Sequence, residues 1–202
     1  MTDGVTGPRL DDVRAALARP AARSSDFDLN SVTLPEGRKL RSAAVLVLLT
    51  DAPDGLSVVL TKRSSQLKHH PGQIAFPGGK HEETDADSWA CALREAQEEI
   101  GLDPSGVTHL GALPHHETVT SFSICPQVGY LEGQQDFLPA DGEVAEIFHV
   151  PLAHLINPDN FIIEGRMWQG AIRHYYAVPY GPFYIWGATA RMLRGLAERF
   201  HG

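Results

Sequence analysis

The chain has 202 residues, of which 43% are hydrophobic and 21% are charged, and this length and balance suit one globular domain with short appendages. A formal net charge of −8 argues against a general nucleic-acid binder, and two cysteines are too few for a disulfide framework or a cysteine-rich zinc module. Because no apolar run approaches the roughly 20 residues of a membrane span, and the N-terminus lacks the apolar core of a signal peptide, we expect a cytoplasmic protein that does not bind membranes.

Hydrophobic periodicity predicts alternating helices and strands along the chain, as expected for an α/β domain. Residues 1–37 are predicted to form a short helix and a polar lead-in segment, and residues 38–202 the main domain. The apolar run 43–49 fits a strand buried on both faces, and turn residues after it indicate a hairpin. The other predicted strands are 56–62, 107–113, 123–131, 144–150 and one or two within 161–178, and the predicted helices are 11–19, 85–100, 151–156 and 188–200.

Charged residues fall into two adjacent blocks in the middle of the chain. Residues 61–81 contain four Lys or Arg side chains, three His and no acid, whereas residues 82–103 contain eight acids and Arg94 as the only cation. Gly78 and Gly79 lie close to the junction, where their lack of a Cβ lets the backbone approach a ligand. Such a junction could hold an anion beside a cation.

The second predicted helix carries three glutamates on one face. Glu95, Glu98 and Glu99 are spaced i, i+3 and i+4, so their like charges repel in an isolated helix. A divalent cation would reverse that effect, since carboxylate oxygens are the ligands that Mg²⁺ and Mn²⁺ prefer. A solvated acidic surface is the simpler explanation for three glutamates alone, but the basic block and the glycines upstream favour a metal and phosphate site.

Residues 79–102 resemble the signature of the Nudix hydrolases, G-x5-E-x7-R-E-U-x-E-E-x-G-U, in which U is aliphatic. The second half of the signature matches closely from Arg94 to Leu102. The first half departs from it, because the spacing before Arg94 is one residue longer and Asp85 replaces the early glutamate. We therefore assign no ligand role to Asp85.

The one-residue insertion is similar to that of the coenzyme A diphosphatase branch of the family. That branch also carries an upstream signature, roughly L-L-T-x-R-[SA]-x3-R-x3-G-x3-F-P-G-G, and residues 59–79 match its spacing throughout. Val59 and Lys68 are conservative departures, and Lys68 keeps the positive charge without the bidentate fork of arginine. The resemblance assigns substrate binding to Arg63, Lys68, Gly72, Phe76, Gly78 and Gly79.

The resemblance implies an α/β/α sandwich with a mixed β-sheet that hydrolyses the diphosphate of coenzyme A or its derivatives. The products would be 3′,5′-ADP and 4′-phosphopantetheine, or its acylated form. Mg²⁺ or Mn²⁺ would be held by Glu95, Glu98 and Glu99, with Glu99 also acting in catalysis and Arg94 orienting a glutamate or the loop. We prefer Glu143 as the general base, ahead of Glu146 and Glu117.

Two other functions remain open from the sequence. The first is hydrolysis of another nucleoside diphosphate derivative, such as ADP-ribose or a dinucleotide, which the upstream signature disfavours. The second is a non-catalytic nucleotide-binding module, which the intact set of three glutamates disfavours. Whether the protein forms a homodimer is also left open.

Overall fold

The computed structural model describes residues 7–30, 37–133, 135–168 and 170–202. The helices in these ranges are α1 (Leu10–Ala18), α2 (Ser88–Ile100), α3 (Leu152–Ile156) and α4 (Ala188–His201). The strands are β1 (Ser24–Ser25), β2 (Arg41–Ala52), β3 (Gly55–Arg63), β4 (Ile74–Ala75), β5 (Gly78–Lys80), β6 (Val107–Ala112), β7 (His116–Glu117), β8 (Phe122–Leu131), β9 (Val144–Pro151), β10 (Ile162–Trp168), β11 (Ala171–Tyr180) and β12 (Phe183–Trp186).

Strand β2 is the centre of the main sheet and is buried on both faces, as its apolar sequence predicts. Leu46 and Leu48 lie in the cluster that packs against α2, whereas Val47 and Leu49 lie in the cluster that includes side chains of α1, α3 and α4. This alternation follows from the two-residue period of a strand. Helices therefore cover both faces of the sheet, which confirms the predicted α/β/α sandwich.

The main sheet is mixed. Strand β2 runs parallel to β8 and antiparallel to β3 and β5, while β3 continues past the hairpin to pair with β9 and β4. The predicted hairpin is confirmed, with Ala52 opposite Gly55 at the turn. Pairing of β5 with the first half of β2 brings the glycines of β5 next to the centre of the sheet.

A second sheet is formed by β10, β11 and β12, which pair antiparallel in chain order. The predicted region 161–178 thus contains two strands, and β12 is an additional strand that the sequence patterns do not predict. Val178 and Ile185 of this sheet are fully buried in the core beside α4.

The N-terminal helix packs on the C-terminal helix. The guanidinium of Arg199 donates hydrogen bonds to the carbonyls of Leu17 and Arg19, at the end of α1. The boundary predicted between residues 37 and 38 stays a prediction. Across the described ranges, no helix combines the length and apolar character needed to span a membrane.

Candidate active site

Helix α2 begins at Ser88, three residues later than predicted. Asp87 is its N-cap and accepts a hydrogen bond from the backbone N–H of Ala90 at 2.8 Å. Asp85 instead lies in the preceding turn, where it accepts from the N–H of Glu82. The helix ends at Gly101, whose φ of 64° is the left-handed conformation that favours glycine at this position. The predicted start was wrong because two aspartates were available and the second one caps the helix.

Glu99 is the most buried acid of α2, with 9% of its side chain exposed. Its carboxylate accepts a hydrogen bond from the N–H of Gly78 at 3.1 Å and lies 3.9 Å from the Arg63 guanidinium. Burial raises the pKa of Glu99 to about 7, and the charges of Glu95 and Glu143 act in the same direction. The Gly78 N–H and Arg63 oppose this shift without cancelling it, so the site holds a carboxylate that is unstable as an isolated charge.

Glu95 lies one turn before Glu99, against Gly79 of β5. A Cβ at position 79 would lie 2.5 Å from both oxygens of the Glu95 carboxylate, a distance at which one group must move. Only glycine therefore fits at position 79 with Glu95 in this place. Burial, followed by the charges of Glu98 and Glu82, raises the pKa of Glu95, although the adjacent Arg94 partly offsets these effects.

Arg94 ties α2 to the preceding loop. Its guanidinium donates two hydrogen bonds to Asp85, at 2.9 and 3.1 Å, and one to the Lys80 carbonyl at 3.0 Å. It also pairs with Glu95 at 3.1 Å and with Glu98 at 3.3 Å. The bidentate contact holds the pKa of Asp85 well below its usual range. Arg94 thus joins the loop backbone, Asp85 and two glutamates of α2 in one network, and its predicted orienting role stays a prediction.

Sequence reasoning missed the role of Asp85 in this network. The residue is assigned no ligand role above, and in the structure its carboxylate accepts hydrogen bonds from Arg94 and from the Glu82 N–H. The available signal was the family signature itself, in which an acid precedes the arginine at nearly this position. An acid retained there can act through the arginine even when the spacing differs.

The structure does not bring all three glutamates together. Glu98 is 60% exposed and pairs with Arg94, whereas Glu95 and Glu99 face β5. The carbonyl of Glu143 accepts a hydrogen bond from the N–H of Ser64 at 2.8 Å, next to Arg63, and the charge of Glu143 helps to raise the pKa of Glu99. The metal role of Glu98 and the base role of Glu143 stay predictions.

The predicted substrate-binding residues lie in two settings. Arg63 ends β3, and the loop after it contains Lys68, which is exposed, and Gly72, whose φ of 70° suits a turn. Phe76 is buried in the core below this loop, where it anchors the chain between β4 and β5. Glu117, the weakest candidate base, pairs with Arg38 at 2.9 Å.

The acids of α2 fit a divalent cation that also binds substrate phosphate. No three His, Cys, Asp or Glu side chains of the described residues converge closely enough to hold a metal by themselves. Mg²⁺ is commonly bound through one or two carboxylates together with substrate phosphates and water. Glu95 and Glu99 provide two such carboxylates, and a bound cation would offset the cost of burying their charges, which raises the pKa of each.

Comparison with known proteins identifies the family. Residues 40–168 match the NUDIX domain. The chain is 38% identical to the uncharacterized Nudix hydrolase NudL of Cronobacter sakazakii, over 78% of this chain and 81% of that protein. It is 40% identical to Nudix hydrolase 15, mitochondrial, of Arabidopsis thaliana, over 79% of this chain and 58% of that protein. The MutT protein of Methanosarcina mazei Go1 shares the fold, with a TM-score of 0.52 and 17% identity over 83% of this chain and 96% of that one.

The chain therefore belongs to the Nudix hydrolase family. It is a hydrolase of diphosphate linkages in nucleoside diphosphate derivatives, and enzymes of this family generally use divalent cations such as Mg²⁺ or Mn²⁺.

Proposed function

We propose that this Nudix hydrolase cleaves the diphosphate of coenzyme A or its acyl derivatives to 3′,5′-ADP and 4′-phosphopantetheine or its acyl form. The single observation that carries the proposal is the Arg63 loop, defined as residues 64–73. The loop starts beside the buried acid of α2, because the guanidinium of Arg63, the residue before it, lies 3.9 Å from the Glu99 carboxylate. Its sequence matches the coenzyme A diphosphatase signature in every spacing.

The geometry of the Arg63 loop supports recognition of a highly charged nucleotide. The Arg63 N–H donates to the Gln73 carbonyl at 2.9 Å, and the Arg63 carbonyl accepts from the Gly72 N–H at 3.1 Å, so the loop leaves and returns at one point. The exposed cation Lys68 is carried by this loop, while the Arg63 side chain faces the acids of α2. Coenzyme A has a 3′-phosphate in addition to its diphosphate, which suits two separate cationic contacts.

Each residue of the site would have a separate role in the reaction. Glu95 and Glu99 would hold Mg²⁺ or Mn²⁺, which would neutralise phosphate oxygens and lower the pKa of bound water. Arg63 would bind the diphosphate and counter the charge of Glu99. Glu143 would accept the proton from the attacking water as general base, since its backbone is hydrogen-bonded to Ser64, the residue after Arg63. Arg94 would hold the glutamates and the loop backbone in position for in-line attack at phosphorus.

The proposal is tested by a substrate panel assayed with Mg²⁺ or Mn²⁺ in ¹⁸O water, with ³¹P NMR to identify the products and the phosphorus attacked. The panel contains coenzyme A, acetyl-coenzyme A, dephospho-coenzyme A, ADP-ribose and a dinucleoside polyphosphate. We expect coenzyme A or its thioester to have the highest kcat/KM and to release 3′,5′-ADP. A higher kcat/KM for ADP-ribose or the dinucleotide would refute the assignment, and no turnover of any substrate would indicate a binding module.

Two variants sharpen the test. Lys68→Ala should lower kcat/KM for coenzyme A by about tenfold or more, because a charged hydrogen bond is lost, but should have little effect on dephospho-coenzyme A. Glu99→Gln should abolish turnover of every substrate while the protein stays folded. An equal loss for both coenzyme A forms in Lys68→Ala would mean that this side chain does not contact the 3′-phosphate.

A further inference from the structure

Strand β10 forms an edge of the second sheet. It pairs antiparallel with β11 on one side, and among the described residues no strand pairs with its other side. A long, exposed edge strand is a ready template for pairing with another chain, which proteins usually block with bulges, prolines or covering elements. The pairing of β10 with β11 has a continuous register from Ile162 to Trp168 without a bulge.

One face of the β10–β11 hairpin continues the apolar surface of the core. At the base of β11 this face contributes Val178, which is fully buried beside α4. Farther along the hairpin the same face carries Ile163, Met167 and Ile172, which are 55%, 65% and 61% exposed. Three large apolar side chains on one face of an edge hairpin are typical of a surface that another protein covers.

The opposite face of β10 carries charges that are only partly balanced within the chain. Arg166 lies directly opposite Arg173 of β11, a like-charge pair that disfavours the hairpin. Arg173 pairs with Asp26 at 3.4 Å, whereas Arg166 makes no ion pair with any described residue. Two residues earlier on the same face, Glu164 accepts hydrogen bonds from the hydroxyls of Tyr175 and Tyr184.

We propose that β10 is a homodimer interface, in which the β10 strands of two copies pair antiparallel around a two-fold axis at Gly165. This register places Glu164 opposite Arg166 of the partner subunit and, by symmetry, Arg166 opposite the partner subunit's Glu164. Ile163 lies opposite Met167 of the partner subunit on the apolar face. The arrangement gives Arg166 a counter-ion, places Ile163 and Met167 of the two copies side by side on the apolar face, and joins two three-stranded sheets into one of six strands.

The sequence of β10 is self-complementary in this register. Residues at equal distances from Gly165 are acid and base at positions 164 and 166, and apolar at positions 163 and 167. A self-complementary patch is what an isologous two-fold interface requires, since each contact occurs twice. The glycine at the axis leaves no side chain that would meet its own copy there. This inference is independent of the substrate proposed above.

The first experiment measures the mass of the full chain by sedimentation velocity and light scattering over a range of concentrations. We expect a dimer that dissociates on dilution. Glu164→Arg and Arg166→Glu should each raise the dimer dissociation constant by about tenfold or more, because each places two like-charge pairs across the axis. The double variant Glu164→Arg/Arg166→Glu should restore the wild-type constant, and Glu132→Arg, an exposed reversal outside the second sheet, should leave it unchanged.

The second experiment tests the register by disulfide cross-linking. Ile163→Cys mixed with Met167→Cys should form a covalent dimer under mild oxidation, whereas either variant alone should not, since identical positions would be about 13 Å apart along the strands. A wild-type chain that is monomeric at all concentrations would overturn the proposal. So would single reversals that leave the dimer intact, a double variant that fails to restore it, or equal cross-linking of each variant alone.

Discussion

Gly79→Ala is the substitution that most directly tests the placement of Glu95. The added methyl carbon would lie 2.5 Å from the Cδ and both carboxylate oxygens of Glu95, whereas ordinary contact begins at about 3.4 Å. Since the clash is with the end of a flexible side chain, we expect the Glu95 carboxylate to move by about 1 Å and the fold to remain. Position 79 has no positive φ, so alanine adds no backbone strain there.

The expected effect is a large loss of activity with a small loss of stability. A displacement of about 1 Å in a catalytic group can reduce the rate by about 100-fold. The free energy of unfolding should change by no more than about 1 kcal/mol, because alanine also lowers the conformational entropy of the unfolded chain. Gly78→Ala should behave differently, since its Cβ would meet the backbone of Ala44 and Val45 at 2.5 and 2.6 Å, and should therefore destabilise the fold itself.

The assay combines kcat/KM for metal-dependent diphosphate hydrolysis with thermal unfolding. Gly195→Ala in α4 is the matched control, because its Cβ meets nothing closer than 3.8 Å. That control should keep full activity and gain up to about 1 kcal/mol of stability from the better helix propensity of alanine. Activity of Gly79→Ala within twofold of the wild type would show that Glu95 does not need this position, and the reasoning would fail.

Three further predictions concern charge. Asp85→Asn should lose about 2 kcal/mol of stability at neutral pH, because the Arg94 guanidinium lowers the pKa of Asp85 and stabilises its charged form. The difference in free energy of unfolding between wild type and variant, measured in urea, should shrink as the pH falls below 3.8. A difference that stays constant with pH would contradict this reasoning. Folding raises the pKa of Glu99 from 4.5 to about 7, so wild-type stability falls as pH rises between these values. In EDTA, Glu99→Gln should therefore be up to about 3 kcal/mol more stable than wild type at alkaline pH and no more stable below 4.5. Arg199→Gln should speed amide exchange in α1 without changing kcat/KM, and unaltered exchange would show that its bonds to carbonyls do not hold α1.

The elements that the sequence predicts well are those fixed by local periodicity. The β2–β3 hairpin follows from two apolar runs around a turn, and α2 follows from an apolar stripe that ends at Gly101. The shared face of Glu95 and Glu99 is equally local, since residues four apart on a helix are neighbours. The core of the site was therefore within reach of sequence reasoning.

The features that the sequence does not predict depend on contacts between distant segments or on competition between neighbouring side chains. Strands β1, β7 and β12 have only two to four residues, too few for a period to be detected, and they exist because adjacent strands pair with them. Glu98 has the right spacing to join Glu95 and Glu99, but its side chain stays 60% exposed and pairs with Arg94, whereas Glu99 is buried against β5. The bond between Arg94 and Asp85 requires the turn before α2, whose shape no spacing rule gives.

The Arg63 loop begins and ends on the backbone of a single residue, because the N–H and carbonyl of Arg63 bond to Gln73 and Gly72. Most of the segment between these bonds is exposed, and exposed loops are the parts of a fold that best tolerate changes in length and sequence. If this loop selects the nucleotide, as proposed above, a new substrate could be accepted through changes in the loop alone, with Glu95 and Glu99 of the neighbouring helix unchanged.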